Sequence, residues 1–235
     1  MLPNSAHVVE YVYRRRCYAA PNVQTGPVSG RYRVASVVAA VCALAGVVTA
    51  CGSDAPQRLI GAQRTPPVLV GGASLPDVTE AEPGTDFTFR AEPGSLLVVY
   101  FGFTNCPDLC PTTLADLRTA RKRIGTEADV VDLAFVTIDP ERDTADILRS
   151  YVGSFTSKFH VLRTLDTDRL NAVEEAFLAS STVTKNPDGT VSVGHTASTY
   201  VVDSAGTVLV EWPFGIGAKG MENDLRILID RLETP

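Results

Sequence analysis

The sequence predicts an α/β fold with a mixed central sheet flanked by helices. Three observations carry this. Leu96 to Phe103 is a continuous apolar run of β-branched and aromatic residues, the pattern of a strand buried on both faces. Val130 to Ile138 reads as a second buried strand, with a helical stretch between the two. Late in the chain, Ser198 to Val202 and Thr207 to Trp212 flank Asp203-Ser-Ala-Gly and predict an antiparallel hairpin. Buried strands alternating with helices, plus a hairpin, make a mixed sheet.

The elements follow in order. Asp86-Phe-Thr-Phe-Arg alternates and predicts a short strand, and Glu92-Pro-Gly-Ser a turn. After the 96–103 strand, Pro111 opens a helix in which Leu114, Leu117 and Ile124 share a face, with Gly125 as its C-cap. Asp139-Pro-Glu-Arg is a loop at the end of the 130–138 strand. Asp143 is placed to N-cap a helix with Ile147, Leu148, Tyr151, Val152 and Phe155 inward. His160 to Leu165 is a short strand, and Asp168 caps the next helix, with Leu170, Val173 and Phe177 on one side. Pro187-Asp-Gly-Thr marks a turn. A final helix buries Leu225, Leu228, Ile229 and Leu232. Trp212 and Tyr200 read as packing residues of strands. A site in such a sheet is expected beyond the carboxyl ends of its strands.

The chain has 235 residues, 45% hydrophobic and 20% charged, as in globular proteins. Residues 67–235 are read as one folded domain, 51–66 as a polar, Pro-rich flexible tether, and 1–50 as an N-terminal extension with an export signal. Arg31 and Arg33 precede an uncharged run from Val34 to Val48, too short for a comfortable membrane-spanning helix. The run ends in Val48-Thr-Ala-Cys51, which resembles a bacterial lipobox. Cys51 is therefore expected to carry a lipid that holds the domain at the outer face of the cytoplasmic membrane. Cleavage after Ala50 with Cys51 incidental is the alternative. Residues 1–27 fit neither reading, and initiation at Val28 is expected. Residues 1–50 hold five Arg and one acid, which leaves residues 51–235 with a formal net charge of −10. A surface so acidic repels phosphate backbones and argues against nucleic acid as a partner.

Of the five Cys, residues 17 and 42 fall in the extension and Cys51 is assigned to the lipid, so Cys106 and Cys110 are the thiols of the domain. A disulfide closing so short a loop removes little chain entropy, so a functional dithiol is the stronger reading than a structural staple. The segment is Phe101-Gly-Phe-Thr-Asn-Cys106-Pro-Asp-Leu-Cys110-Pro111. Both thiols lie between a buried strand and a helix N-terminus, where the dipole and free N–H groups favour thiolate. Thiolate attacks disulfides and binds metal, and a spacing of four lets the sulfurs meet.

These residues resemble the SCO/SenC family of copper chaperones for cytochrome c oxidase assembly. The matching pieces are Gly102-Phe-Thr-Asn-Cys-Pro-Asp-Leu-Cys-Pro111, Thr137-Ile-Asp-Pro-Glu-Arg-Asp-Thr144 and Gly194-His-Thr196, in the family's order. The resemblance implies a thioredoxin-like fold. It also implies one copper held by Cys106, Cys110 and His195, and delivery of copper to oxidase subunit II, or reduction of the cysteines there. This chain departs from the family at Asn105, often His, and at Gly194, often Asp. The chemistry agrees with the resemblance: two thiolates suit Cu(I), with Cu(II) possible, and imidazole suits copper or zinc. Structural zinc wants a fourth ligand, which an acid would have to supply. Asp139, at the end of a buried strand on the cysteine side, is a candidate to tune the site from behind the ligands, or simple turn chemistry. His160 reads as structural. The rival function is an extracytoplasmic thiol–disulfide oxidoreductase, since an accessible dithiol exchanges with disulfides. Against it stand the three residues between the cysteines, where thioredoxin-like redox motifs have two.

Overall fold

The computed structural model describes residues 58–233. The expected extension, the Val28 start, Cys51 and the head of the tether lie outside the described residues. Along the chain run β1 (Ser74–Asp77), β2 (Thr85–Thr88), β3 (Leu96–Gly102), α1 (Leu109–Ile124), a 3-10 turn (Gly125–Val130) and β4 (Val131–Thr137). They are followed by α2 (Ala145–Gly153), β5 (His160–Leu162), α3 (Thr167–Ala176), β6 (Ser181–Lys185), β7 (Val191–His195), β8 (Ser198–Val202), β9 (Val208–Pro213) and α4 (Gly217–Glu233).

Seven strands form one sheet in the order β2-β1-β5-β4-β3-β8-β9, and β6 and β7 pair in a sheet of their own. β3, β4 and β5 are parallel, while β8 and β1 flank them antiparallel. The sheet is mixed, as the sequence predicts. Every residue of β3 is buried, which explains its unbroken apolar run: helices cover both faces. Successive residues of β3 serve different clusters. Tyr100 meets Phe135, which meets Tyr151 and then Phe155. Phe101 points the other way, to Phe177 and Tyr200, and Phe177 also meets Phe89. The period-two alternation of a strand produces this division.

Several local expectations are corrected. The first helix begins at Leu109, ahead of Pro111, so Cys110 lies in its first turn. Thr144, and not Asp143, caps α2, its side chain accepting from the Ile147 N–H. Asp166, and not Asp168, caps α3. In both cases the capping residue is the one whose side chain stands one position before the first helical turn. Ile147 is 45% exposed and stays out of the core, and the strand expected over His160 to Leu165 ends at Leu162. The turn at Pro187 closes the β6–β7 hairpin, whose polar strands give no buried-strand signal.

The chain is tied to the domain ahead of Pro67, the expected domain start. Asp224 on α4 is fully buried. It accepts hydrogen bonds from the Ile60 and Gly61 N–H groups at 2.7 and 2.8 Å and from Trp212 Nε1 at 2.9 Å. These donors satisfy a carboxylate whose burial would otherwise be costly. Among the described residues, no helix is long and apolar enough to cross a membrane.

Candidate metal centre

β3 delivers the chain to the cysteine loop at the carboxyl end of the central parallel strands. At Gly102 a Cβ would stand 2.9 Å from the Tyr100 ring and 3.1 Å from Phe135, so two rings close over the position where the strand ends. The loop is then pinned from β4. Asp143 is fully buried and receives the Thr104 N–H at 3.1 Å, the Thr104 hydroxyl at 2.5 Å and the Thr137 hydroxyl at 2.7 Å. Sequence reasoning placed Asp143 at a helix cap and missed this role. Its signal is the Thr137-to-Asp143 spacing within the second motif.

Cys106 and Cys110 are brought together as free thiols, both buried. The Cys110 N–H, in the first turn of α1, donates to Cys106 Sγ at 3.3 Å. The helix N-terminus thus points a free donor at one sulfur, as the sequence implies. The expected thiolate preference does not extend to Cys110. Burial pushes its thiol up to about 12, so metal binding there must displace a proton. The Tyr100 and Tyr151 phenols lie within electrostatic reach of both cysteines. Burial raises both phenols well above their ordinary range.

His195 ends β7, and β8, which begins three residues later, lies antiparallel beside β3, as expected. Its ring packs edge-on to Phe103 with centroids 6.1 Å apart. Nδ1 lies 3.0 Å from the Thr196 carbonyl, so Nδ1–H donates a hydrogen bond to it and Nε2 is left as the lone-pair atom. Nε2 is buried without any partner. Burial also holds the imidazole's pKa below its ordinary value, so the ring is neutral, the form that ligates metals. These features fit a metal ligand. Among the described residues, however, no three His, Cys, Asp or Glu side chains are gathered closely enough to hold an ion as they stand. The cysteine loop is tied to Phe103 through the Cys106 N–H on its carbonyl at 3.3 Å, and the His195 ring packs on the Phe103 ring. Assembly of the expected triad requires the imidazole and the cysteine loop to approach each other.

Asp139 is buried but is engaged elsewhere. Its carboxylate pairs with Arg142, and its N–H bonds to the Thr137 hydroxyl. It lines a cleft of about 790 Å³ with Leu170 and Val183, which is turn chemistry at a strand end. His160 lies at the opposite end of the sheet, between Asp77 and Asp132. A residue the sequence reading passed over is Glu174, only 3% exposed, with Oε1 unpartnered. It sits four residues after Leu170 and three before Phe177, so helical periodicity puts it on their buried face. That position was the available signal.

The chain is similar to known proteins in sequence and in fold. The SCO1/SenC family model matches residues 80–230. The SCO2-like protein of Rickettsia prowazekii is 31% identical over 128 residues, covering 54% of this chain and 62% of that protein. The human mitochondrial SCO1 homolog is 35% identical over 156 residues, covering 65% of this chain and 49% of that protein. The chain therefore spans less than two thirds of the length of these relatives. The structure of Bradyrhizobium japonicum ScoI with copper bound is similar with a TM-score of 0.56 and 27% identity, covering 72% of this chain and 98% of that one.

Proposed function

The chain belongs to the SCO1/SenC family, and from that premise we propose that it binds copper and serves cytochrome c oxidase assembly, with Cys106, Cys110 and His195 as the copper ligands. What supports the reading is a buried pair of adjacent free thiols and, apart from them, an imidazole whose Nε2 is buried and unpartnered. A similar protein has been solved with copper bound. Two thiolates and an imidazole form a soft donor set suited to Cu(I). Three protein ligands with no fourth leave the ion open to attack by an acceptor's own ligands, which is what delivery by ligand exchange needs. The copper is cargo. Its recipient in this reading is oxidase subunit II or another copper protein.

The chain's own residues supply the rest. Asp143 fixes Thr104 and so the start of the cysteine loop. Burial keeps Cys110 protonated until a cation arrives. Lipidation at Cys51 would hold the domain at the outer face of the cytoplasmic membrane. A Cys51→Ala variant that is still processed and lipidated sinks that part of the proposal.

The test is titration of the reduced full chain with Cu(I) against a competing chelator. One copper per chain is expected. Cys106→Ser with Cys110→Ser should abolish binding, and His195→Ala should lower retention sharply while the dithiol still oxidises and is reduced. Unchanged binding in the double variant ends the copper reading. It would favour the second one, a thiol–disulfide oxidoreductase, for which the N–H aimed at Cys106 Sγ speaks.

A further inference from the structure

The last turns of α1 carry Arg118-Thr-Ala-Arg-Lys-Arg123, four cations within six residues of a domain whose net charge is negative. Arg118 and Arg121 lie one turn apart, and both line a cleft of about 300 Å³ between α1 and the segment that follows α2. Buried Leu114, Leu117 and Leu133 form its apolar floor. Arg121 is half-buried, and its Nη1 donates to the Thr156 hydroxyl at 2.7 Å. Arg118 lies over the Phe155 ring, with Cζ 5.8 Å from the ring centroid. Among the described residues neither guanidinium enters a salt bridge, whereas neighbouring Arg123 pairs with Glu222 at 3.5 Å and Arg226 pairs with Glu222 and Glu127. The acids nearby do not replace such a partner. Asp132 lies 3.6 Å from both Lys158 and His160, and Asp129, on the rim of the cleft, is exposed. Burial holds the Arg121 pKa below its ordinary value in spite of both acids.

We propose that the Arg118–Arg121 cleft binds a phosphate ester of a small alcohol, the two guanidinium groups taking the phosphoryl oxygens and the leucine floor taking the carbon chain. A guanidinium presents several N–H donors in a planar fork, and Arg121 gives one of them to Thr156. A half-buried cation without a counter-ion is costly, and an arriving oxyanion removes that cost. Two forks match a phosphoryl group better than a carboxylate, whose two oxygens a single fork already occupies. The volume of the cleft lies at the lower end of small-ligand pockets, which leaves room for an organic group beside the phosphate. A soluble ester and the headgroup of an anionic phospholipid both offer this chemistry. The inference does not rest on the copper reading, because none of the cleft residues is a proposed copper ligand.

The experiment titrates the reduced full chain with glycerol phosphate and with inorganic phosphate by calorimetry, and sediments it with vesicles of phosphatidylcholine with and without phosphatidylglycerol. Saturable binding of one ester per chain is expected, tighter than that of inorganic phosphate. Arg118→Gln and Arg121→Gln should each weaken it by about tenfold, and Arg121→Lys, which keeps the charge but loses the fork, should weaken it as well. Arg123→Gln, outside the cleft, should leave it unchanged. Circular dichroism checks each fold, and Arg118→Gln, at an exposed position, keeps the test open if Arg121→Gln does not fold. A preference for phosphatidylglycerol vesicles that the Arg118 and Arg121 variants lose assigns the ligand to a lipid headgroup. Binding of the soluble ester without that preference assigns it to solution. No saturable binding of the ester together with no such vesicle preference, equal affinity for inorganic phosphate, a loss as large in Arg123→Gln, or full affinity in folded Arg118→Gln overturns the proposal.

Discussion

Asp143 holds the cysteine loop through three donors drawn from two segments. Asp143→Ala would leave the Thr104 N–H and the Thr137 hydroxyl unpaired in the interior, at a cost of about 3 kcal/mol. For a domain of this size that corresponds to roughly 6–12 °C in Tm. The fold should survive, but the loop it anchors should loosen. We therefore predict that Cys106 and Cys110 react faster with a thiol reagent in this variant, below its melting temperature. Thiol kinetics no different from the parent would show that the loop is held by something else. The sequence made the two cysteines legible because their spacing and their place between a strand and a helix are chemical statements in themselves. Asp143 was not legible as a loop anchor, because Asp one residue before Thr144 is equally good capping chemistry. Only the packing decides which of two adjacent polar residues faces inward.

The elements carry their own consequences. At the far end of the sheet, β5 begins with His160, wedged between Asp77 of β1 and Asp132 of β4. Burial lowers the pKa of its ring, but the bonds to Asp132 and Asp77 outweigh that and raise it to about 9. A raised folded-state value means the contribution is complete below the unfolded value near 6.5 and is lost as pH rises through 9. With a ring that is about a third exposed, solvent screening reduces the gain to about 1–2 kcal/mol. Urea denaturation at pH 6 and pH 9.5 should show that loss, and His160→Gln should remove the difference. A His160→Gln protein with the same pH dependence as the parent would acquit the histidine. At the end of α3, Leu178 adopts φ 57°, a left-handed conformation that costs a side chain roughly 1–2 kcal/mol. Its side chain is mostly exposed, so Leu178→Gly gives up little packing. That substitution should raise stability by about 0.5–1 kcal/mol in the same assay, and a fall in stability would mean that Leu178 packs more than its exposure implies. Strands β3 and β4 could be read from the sequence because burial on both faces writes an apolar run. β1, β6 and β7 could not, because four or five mixed residues on an edge or in a hairpin carry no periodicity long enough to read.

For the whole molecule, Asp224 joins the segment entering the domain to α4 and, through Trp212, to β9. Asp224→Ala would strand the buried Trp212 N–H and free two part-buried backbone donors, and we predict a loss of about 2–3 kcal/mol, seen as a lowered Tm. An unchanged Tm would mean that the entering segment contributes nothing to the fold. The architecture was legible as a mixed α/β sheet because strand–helix alternation and a late hairpin leave few topologies. The distance from His195 to the cysteines was not, because a spacing in sequence says which residues share a loop but not how far a third, distant residue stands from it. One feature of the fold separates two properties that usually travel together. β6 and β7 pair only with each other, and His195 is the last residue of that hairpin. Swinging the imidazole toward or away from the cysteines breaks no rung of the seven-stranded ladder. In the proposed copper site, dwell time and melting temperature would then be governed by different parts of the chain: we predict that stiffening the hairpin slows release of the ion while the thermal transition stays where it was.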